Sequence, residues 1–170
     1  QSVAGVKCKD RFAYFTGHYV IPVTNTKPPF YIRNYHENSI YFSIYHLSEK
    51  NIESYVDAFN KFSPEYITGY PSAFYTFSML AKEKGLKVKP LKAIFSASEV
   101  LHDYQKEYVE KFLDTKIYKW YGQVELTINI HECEKRRMHV KEEYGYLELI
   151  KDDGSYASAG EYGNVIGTGF

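Results

Sequence analysis

The sequence predicts an α/β fold: a layered βαβ arrangement with a mainly parallel sheet flanked by helices, followed by the start of a smaller antiparallel β subdomain. Three observations predict it. Between residues 48 and 125, helical apolar stripes alternate with short β-branched and aromatic runs in the order α-β-α-β-α-β, joined by brief connections. Ahead of that stretch, Phe12-Ala13-Tyr14-Phe15 and Tyr41-Phe42-Ser43-Ile44-Tyr45 have strand character. From Met138 onward the pattern shortens to strands separated by turn signals, Asp153-Gly154 foremost. These divisions give three expected regions: a β-rich leading segment over 1–47, an α/β subdomain over 48–130 and an antiparallel β subdomain over 131–170.

Each element has a local reason. Asn25-Thr26-Lys27-Pro28-Pro29 cannot be a regular central strand, because two prolines remove two backbone donors. Ser48 can cap a helix whose stripe is Ile52, Tyr55, Val56 and Phe59, closed by Pro64. Tyr66-Ile67-Thr68 is a short strand entering Gly69-Tyr70-Pro71-Ser72, where Pro71 suits the first helical turn because its missing N–H costs nothing there. The helix it opens carries Ala73, Phe74, Phe77, Leu80 and Ala81 on one face and stops at Gly85. Leu91 to Ser96 is the next strand. A third helix should turn Leu101, Tyr104, Tyr108 and Phe112 inward, and the run Lys116 to Tyr121 is the strand after it. Met138-His139-Val140, Tyr146 to Ile150 and Asn164-Val165-Ile166 then read as antiparallel strands.

Composition narrows the function classes. Lys plus Arg and Asp plus Glu are 21 each in 170 residues, so no global field favours nucleic acid or an anionic membrane. Lys135-Arg136-Arg137 is too short for a phosphate patch and reads as a solvated turn. No apolar segment approaches the roughly 20 residues of a membrane span, and no signal peptide is visible. Two cysteines make no disulfide framework, which fits a reducing cytoplasm. The chain opens at Gln1 without a methionine and closes on a strand-like run, and is read as a fragment. The 18 tyrosines suit either half-buried layers or a ligand cleft.

In open parallel sheets, ligands gather at the carboxyl ends of the strands. Tyr70, Ser98-Glu99 and Tyr121-Gly122 all fall at such ends. The last pair belongs to Tyr121-Gly122-Gln123-Val124-Glu125, which offers an aromatic ring, a glycine backbone and a carboxylate within five residues. That stretch resembles the Tyr-Gly-x-Thr-Glu signature of adenylate-forming (AMP-binding) enzymes. The ordered set Tyr45-His46-Leu47-Ser48, Gly69-Tyr70-Pro71-Ser72-Ala73, Ser96-Ala97-Ser98-Glu99, His131-Glu132-Cys133, Met138-His139-Val140 and Gly160-Glu161-Tyr162-Gly163 is similar to the branch of phenylacetate-coenzyme A ligases and their capsular polysaccharide relatives.

The resemblance implies a fragment of a ligase that uses ATP to activate a carboxylate as acyl-AMP and passes the acyl group to a thiol, such as coenzyme A, or to an amine. It implies adenine between Ser98-Glu99-Val100 and Tyr121, close backbone approach at Gly122 and Gln123, and Mg²⁺ on Glu125 as the catalytic carboxylate. It also implies acyl substrate near His46, Tyr70 and Pro71. The signature threonine, a hydroxyl donor to the α-phosphate, is Val124 here, which cannot donate. The family's Ser/Thr/Gly-rich phosphate loop has no counterpart in 1–170, so the resemblance implies half a site and negligible turnover by the fragment alone. Partners are then a nucleotide and a small carboxylic acid, with neither nucleic acid nor a membrane span. Left alone, Glu125 also reads as a helix-start carboxylate.

Two rival readings remain. A non-catalytic module would use the tyrosines as an exposed stacking platform, and a degenerate homologue would scaffold a partner. His131, Cys133 and His139, with Cys8, are ligand types for a structural Zn²⁺ site, but their spacing matches no familiar zinc motif, and a buried thiol with strand histidines accounts for them better. A Cys133 nucleophile paired with His131 or His139 lacks an orienting third group.

Overall fold

The computed structural model describes residues 4–170. The chain divides into two compact units, one running up to Tyr118 and the other from Lys119 onward. The first holds β1 (Phe12–Thr16), β2 (Tyr31–Asn34), β3 (Ser39–Ser43), α1 (Ile52–Phe62), β4 (Tyr66–Gly69), α2 (Pro71–Glu83), β5 (Ala93–Ser96) and α3 (Asp103–Leu113). The next strand, β6 (Ile117–Gly122), begins in the first unit and continues into the second.

The sheet of the first unit is mainly parallel, as expected. Its strands neighbour one another in the order β2-β3-β1-β4-β5, with β6 starting beside β5. β1 pairs in parallel with both β3 and β4, and β4 with β5; only the edge strand β2 is antiparallel to its neighbour. The leading segment 1–47 is therefore no separate region. Phe12 pairs across to Ser39 on one side and Tyr66 on the other, so β1 lies at the heart of the α/β sheet.

Alternation sorts the two faces. Ala13, Phe15, Ile40, Phe42, Ile67, Ile94 and Ile117 point into one core, which the buried faces of α1, α2 and α3 complete. Phe15 is its pivot, with ring centroids 5.2 Å from Phe42, 5.9 Å from Phe74 and 5.2 Å from Phe77. Truncating such a ring to alanine costs about 3–5 kcal/mol. The opposite face carries Phe12, Tyr14, Tyr41, Tyr66, Phe95 and Tyr118, with Val6 packed among them.

The helices differ from expectation at their starts. The residue at the start of α1 is Asn51 rather than Ser48, and its side chain makes no cap bond; the Ser48 carbonyl accepts the Ile52 N–H at 3.0 Å, so Ser48 begins a turn that leads into the helix. Pro71 is the first residue of α2, and Gly85 ends it at φ 65°, both as expected. In α3 the inward stripe is Gln105, Val109 and Leu113, and Tyr104 is exposed. Tyr108 and Tyr104 instead set their edges against Tyr75 of α2. The helix starts at Asp103, with His102 and Gln105 forming a reciprocal cap, and that start turns the i, i+4 row of Gln105 to the core.

The second unit opens earlier than the expected 130/131 boundary, because β6 bends back into a hairpin. Its later residues pair antiparallel with β7 (Asn129–Glu132), which pairs with β8 (Met138–Val140). A separate ribbon joins β9 (Tyr146–Ile150) to β10 (Asn164–Thr168), antiparallel as expected. The Asp153-Gly154 turn forms, with Gly154 at φ 82° and its N–H bonded to the Lys151 carbonyl at 2.9 Å. Lys135-Arg136-Arg137 forms the β7–β8 turn, with Arg136 at φ 62°.

Candidate functional site

At the carboxyl ends of the first unit's strands, several expected residues come together. β3 runs into a single 3-10 turn, Ile44–His46, which buries His46. The imidazole is stacked on Phe30 at 5.2 Å, and its Nδ1 lies 2.9 Å from the Ser43 hydroxyl. Its Nε2 is buried and has no hydrogen-bond partner among the described residues. An unpaired polar atom in that position costs about 1–3 kcal/mol, which a ligand donor or acceptor reaching it would recover.

At the ends of β1 and β4, Tyr70 lies on the backbone of Gly17: a Cβ on Gly17 would sit 2.9 Å from the Tyr70 ring. Tyr45 donates its hydroxyl to the Gly17 carbonyl at 2.7 Å, and Tyr19 stacks on Tyr45 at 5.0 Å. Partial burial, with Tyr70 nearby, pushes the Tyr14 hydroxyl pKa upward. The strand ends are tied from below. Gly69, at φ 137°, accepts the Ala97 N–H at 3.2 Å, and Glu99 accepts the Ser72 N–H at 3.2 Å in the first turn of α2. Ser98 stands between them at φ 69°, and Val100 beyond is 74% exposed. Glu99 thus clips the turn after β5 to the start of α2, a role sequence reasoning missed. A carboxylate near a helix start was the available signal.

The remaining expected nucleotide residues lie in the second unit, on the β6–β7 hairpin. Tyr121 is half exposed, while Val124 and Glu125 are exposed in the turn. The Leu126 N–H donates to the Gln123 carbonyl at 3.1 Å, and the Thr127 hydroxyl donates to the Gln123 side chain at 2.6 Å. Two local expectations change. Glu125 starts no helix; it sits in a turn, so no helix dipole holds it. At Gly122 the position a Cβ would take is 2.8 Å from the Trp120 indole, which is held by its N–H to the Asn129 side chain at 3.0 Å. That side of the glycine therefore serves Trp120 packing and is not left open. Glu125 makes no hydrogen bond or ion pair among the described residues. An exposed carboxylate of this kind fits Mg²⁺, which takes one or two carboxylates together with phosphate oxygens.

The hairpin formed by β7 and β8 sets His131 directly opposite His139, with ring centroids 6.1 Å apart. With Cys133 they line a cavity of about 340 Å³ that also touches Lys141, Glu142 and Glu143. Burial first, then Lys141 and His139, hold the His131 pKa below its ordinary value. Among the described residues, no three His, Cys, Asp or Glu side chains stand arranged to hold a metal ion. Cys8 is exposed and belongs to the other unit.

No family model matches the chain. It is 25% identical over 141 residues to Protein CapK of Staphylococcus aureus, covering 82% of this chain and 31% of CapK. Among solved structures, the anthranilate CoA ligase AuaEII in complex with anthranoyl-AMP superposes with a TM-score of 0.66 at 17% identity, over 95% of this chain and 31% of that one. An open 2-hydroxyisobutyryl-CoA ligase in complex with 2-HIB-AMP and CoA gives 0.70 at 16%, over 99% and 39%. A long-chain-fatty-acid-CoA ligase from Archaeoglobus fulgidus gives 0.64 at 14%, over 98% and 35%. The chain spans between three and four tenths of the length of these proteins. Its fold is that of a part of the acyl-CoA ligases, and its sequence is similar to CapK.

Proposed function

We propose that this chain is part of an adenylate-forming ligase. The reaction joins a carboxylate oxygen to the α-phosphorus of ATP, releasing pyrophosphate and leaving acyl-AMP; a thiol such as coenzyme A, or an amine, then takes the acyl group and AMP departs. The observation that carries this reading is a fold shared over nearly the whole chain with CoA ligases, two of them bound to acyl-AMP. The likeness to CapK supports the same reading, and a place in capsular polysaccharide biosynthesis rests on that likeness alone.

The residues take roles that follow from their exposure. In the second unit Tyr121 offers an exposed aromatic face to adenine, with Gly122 and Gln123 beside it; in the first, Val100 offers an aliphatic surface next to Ser98 and Glu99. Stacking on the Tyr121 ring contributes about 1–3 kcal/mol. Glu125 would hold Mg²⁺, which when bound neutralises charge on the phosphates. Tyr70, Pro71 and His46 border the acyl group, with the unpaired His46 Nε2 as the polar contact. No helix among the described residues is long and apolar enough to cross a membrane, and both cysteines are free, which agrees with work in the cytoplasm.

The test is carboxylate-dependent exchange of labelled pyrophosphate into ATP by the full-length protein that contains this chain, across a panel of aromatic, aliphatic and hydroxy acids. Exchange with at least one acid, weakened by Tyr121→Ala and abolished by Glu125→Gln, is expected. The absence of both exchange and Mg·ATP binding would overturn the reading.

A further inference from the structure

We propose that Ser43 positions His46, holding the imidazole with its proton on Nε2. The acyl site then selects carboxylic acids that carry a neutral hydrogen-bond acceptor on their body, away from the carboxylate. The substrate class rests on the ligase reading; the placement of the proton does not.

Ser43 uses every polar group it has to hold the end of β3. Its N–H donates to the Phe30 carbonyl at 3.0 Å, and its carbonyl accepts the Tyr55 hydroxyl at 2.6 Å. Its own hydroxyl lies 2.9 Å from His46 Nδ1. Phe30 stacks on both His46 and Tyr55, at 5.2 and 5.8 Å between ring centres. The Asn51 side-chain amide ties down the His46 carbonyl at 2.9 Å. Ser43 is fully buried and His46 is 8% exposed, so the ring is held on several sides away from water.

A neutral imidazole has one donor nitrogen and one acceptor nitrogen. Two arrangements satisfy the contact with Ser43, and the orphans they leave separate them. With the proton on Nδ1, the Ser43 oxygen accepts it. The Ser43 proton and the Nε2 lone pair then both lack partners among the described residues. With Ser43 donating to a bare Nδ1, the Nε2–H alone is left over. Each buried orphan is costly, so the second arrangement is the stable one.

The Nε2–H calls for an acceptor. A carboxylate brought there would exchange its water for one neutral donor beside an aromatic ring, at a net loss. A ketone, ether or hydroxyl oxygen has far less hydration to give up. Completing the bond should favour such an acid by about 5- to 150-fold over an isostere without the oxygen.

The full-length protein labelled with ¹⁵N-histidine, with His46→Gln to assign the ring, reads the proton without turnover. Nε2 should be protonated and Nδ1 bare. Ser43→Ala should move the Nδ1 resonance, because it removes the hydroxyl and leaves both backbone bonds in place. Pyrophosphate exchange with pairs of acids that differ in one keto or hydroxyl oxygen then reads selectivity. At least one oxygenated acid should be preferred, through KM rather than kcat. Ser43→Ala should reduce that preference at least about threefold, and should change nothing further in a His46→Gln background. A proton on Nδ1, or an unmoved resonance in Ser43→Ala, overturns the positioning role. Exchange with no preference within any pair overturns the substrate class and leaves the ligase reading standing, whereas no exchange with any acid sinks both.

Discussion

Gly69→Ala should be among the most damaging single-methyl additions in the first unit. Gly69 ends β4 at φ 137°, paired with Phe15 of β1 and Ser96 of β5. That backbone conformation alone costs an alanine about 1–3 kcal/mol. The added Cβ would also lie 2.3 Å from the Phe15 carbonyl oxygen. Carbon–oxygen contacts between strands run at about 3.3 Å or more, so β1 must retreat by about 1 Å. Phe15 has nowhere to go, being fully buried against Phe42, Phe74 and Phe77. Forcing such a core out of register adds about 1–3 kcal/mol, for a total of about 2–6 kcal/mol. Gly85→Ala isolates the backbone component: Gly85 also has positive φ, at 65°, but nothing lies within 4 Å of its Cβ position. It should lose only about 1–2 kcal/mol. Urea unfolding followed by circular dichroism, with hydrogen exchange read over residues 12–16 and 66–69, gives both values. Equal losses for the two variants would refute the close approach of β1 and β4.

Three further outcomes follow from single contacts. Tyr55 is buried, its hydroxyl pKa is pushed up by that burial, and it donates to the Ser43 carbonyl at 2.6 Å; Tyr55→Phe should cost about 1–2 kcal/mol by thermal melting, and an unchanged melting temperature would mean the bond is not made in solution. The Asp10 carboxyl is held below its ordinary value, chiefly by the Lys7 backbone N–H and then by Lys92. Its stabilisation is therefore complete above the unfolded value near 3.8 and lost as pH falls through the lower folded one. Asp10→Asn should flatten the stability–pH curve in that acid window and leave the slope above pH 5 unchanged; an unaltered acid limb counts against the contact. Val124 is 95% exposed, so Val124→Thr should shift stability by less than about 0.5 kcal/mol. If a hydroxyl at this position reaches the α-phosphate, the same change should tighten nucleotide binding by about 0.5–1.5 kcal/mol in a Mg·ATP titration, and an unchanged Kd removes that role.

Local signals carried much of the fold. α1 and α2 were legible because their apolar residues recur with the helical period and their ends carry Pro64, Pro71 and Gly85. β2 was not, because an edge strand reading Tyr-Ile-Arg-Asn has no buried alternation to reveal it. The insertion of β1 between β3 and β4 was invisible for another reason: it pairs Phe12 with residues 39 and 66, and nothing local encodes a partner so far along the chain. At the candidate site, Tyr70, Glu99 and Tyr121 were legible as residues at strand ends. The Glu99 clip to Ser72 and the Trp120 cover on Gly122 were not, since each depends on where a neighbouring side chain turns.

The tyrosines discriminate between an enzyme and a stacking module, because a platform needs ring faces open to solvent. The aromatic row on the helix-free side of the first unit's sheet does not offer them. Phe12 stacks on Tyr66 at 5.2 Å, Tyr66 meets Phe95 at 5.7 Å edge to face, and Phe95 meets Tyr118 at 5.8 Å. Tyr66 and Tyr118 are only 6% and 7% exposed. Each ring there spends its face or edge on the next, as in a core layer, where such pairs add about 0.5–1.5 kcal/mol beyond the area they bury. Elsewhere Tyr55 lies between α1 and the sheet, and Tyr75 and Tyr108 between α2 and α3. The accessible tyrosines nearest a strand-end cleft are Tyr19 and Tyr45, and they are stacked on each other beside Tyr70 and His46 rather than spread as a row. In the first unit the tyrosines are thus mostly structural, and the stacked pair Tyr19 and Tyr45 is exposed where a parallel sheet binds small molecules; in the second unit Tyr144, Tyr146, Tyr156 and Tyr162 keep their rings exposed, so a stacking surface has its candidates there.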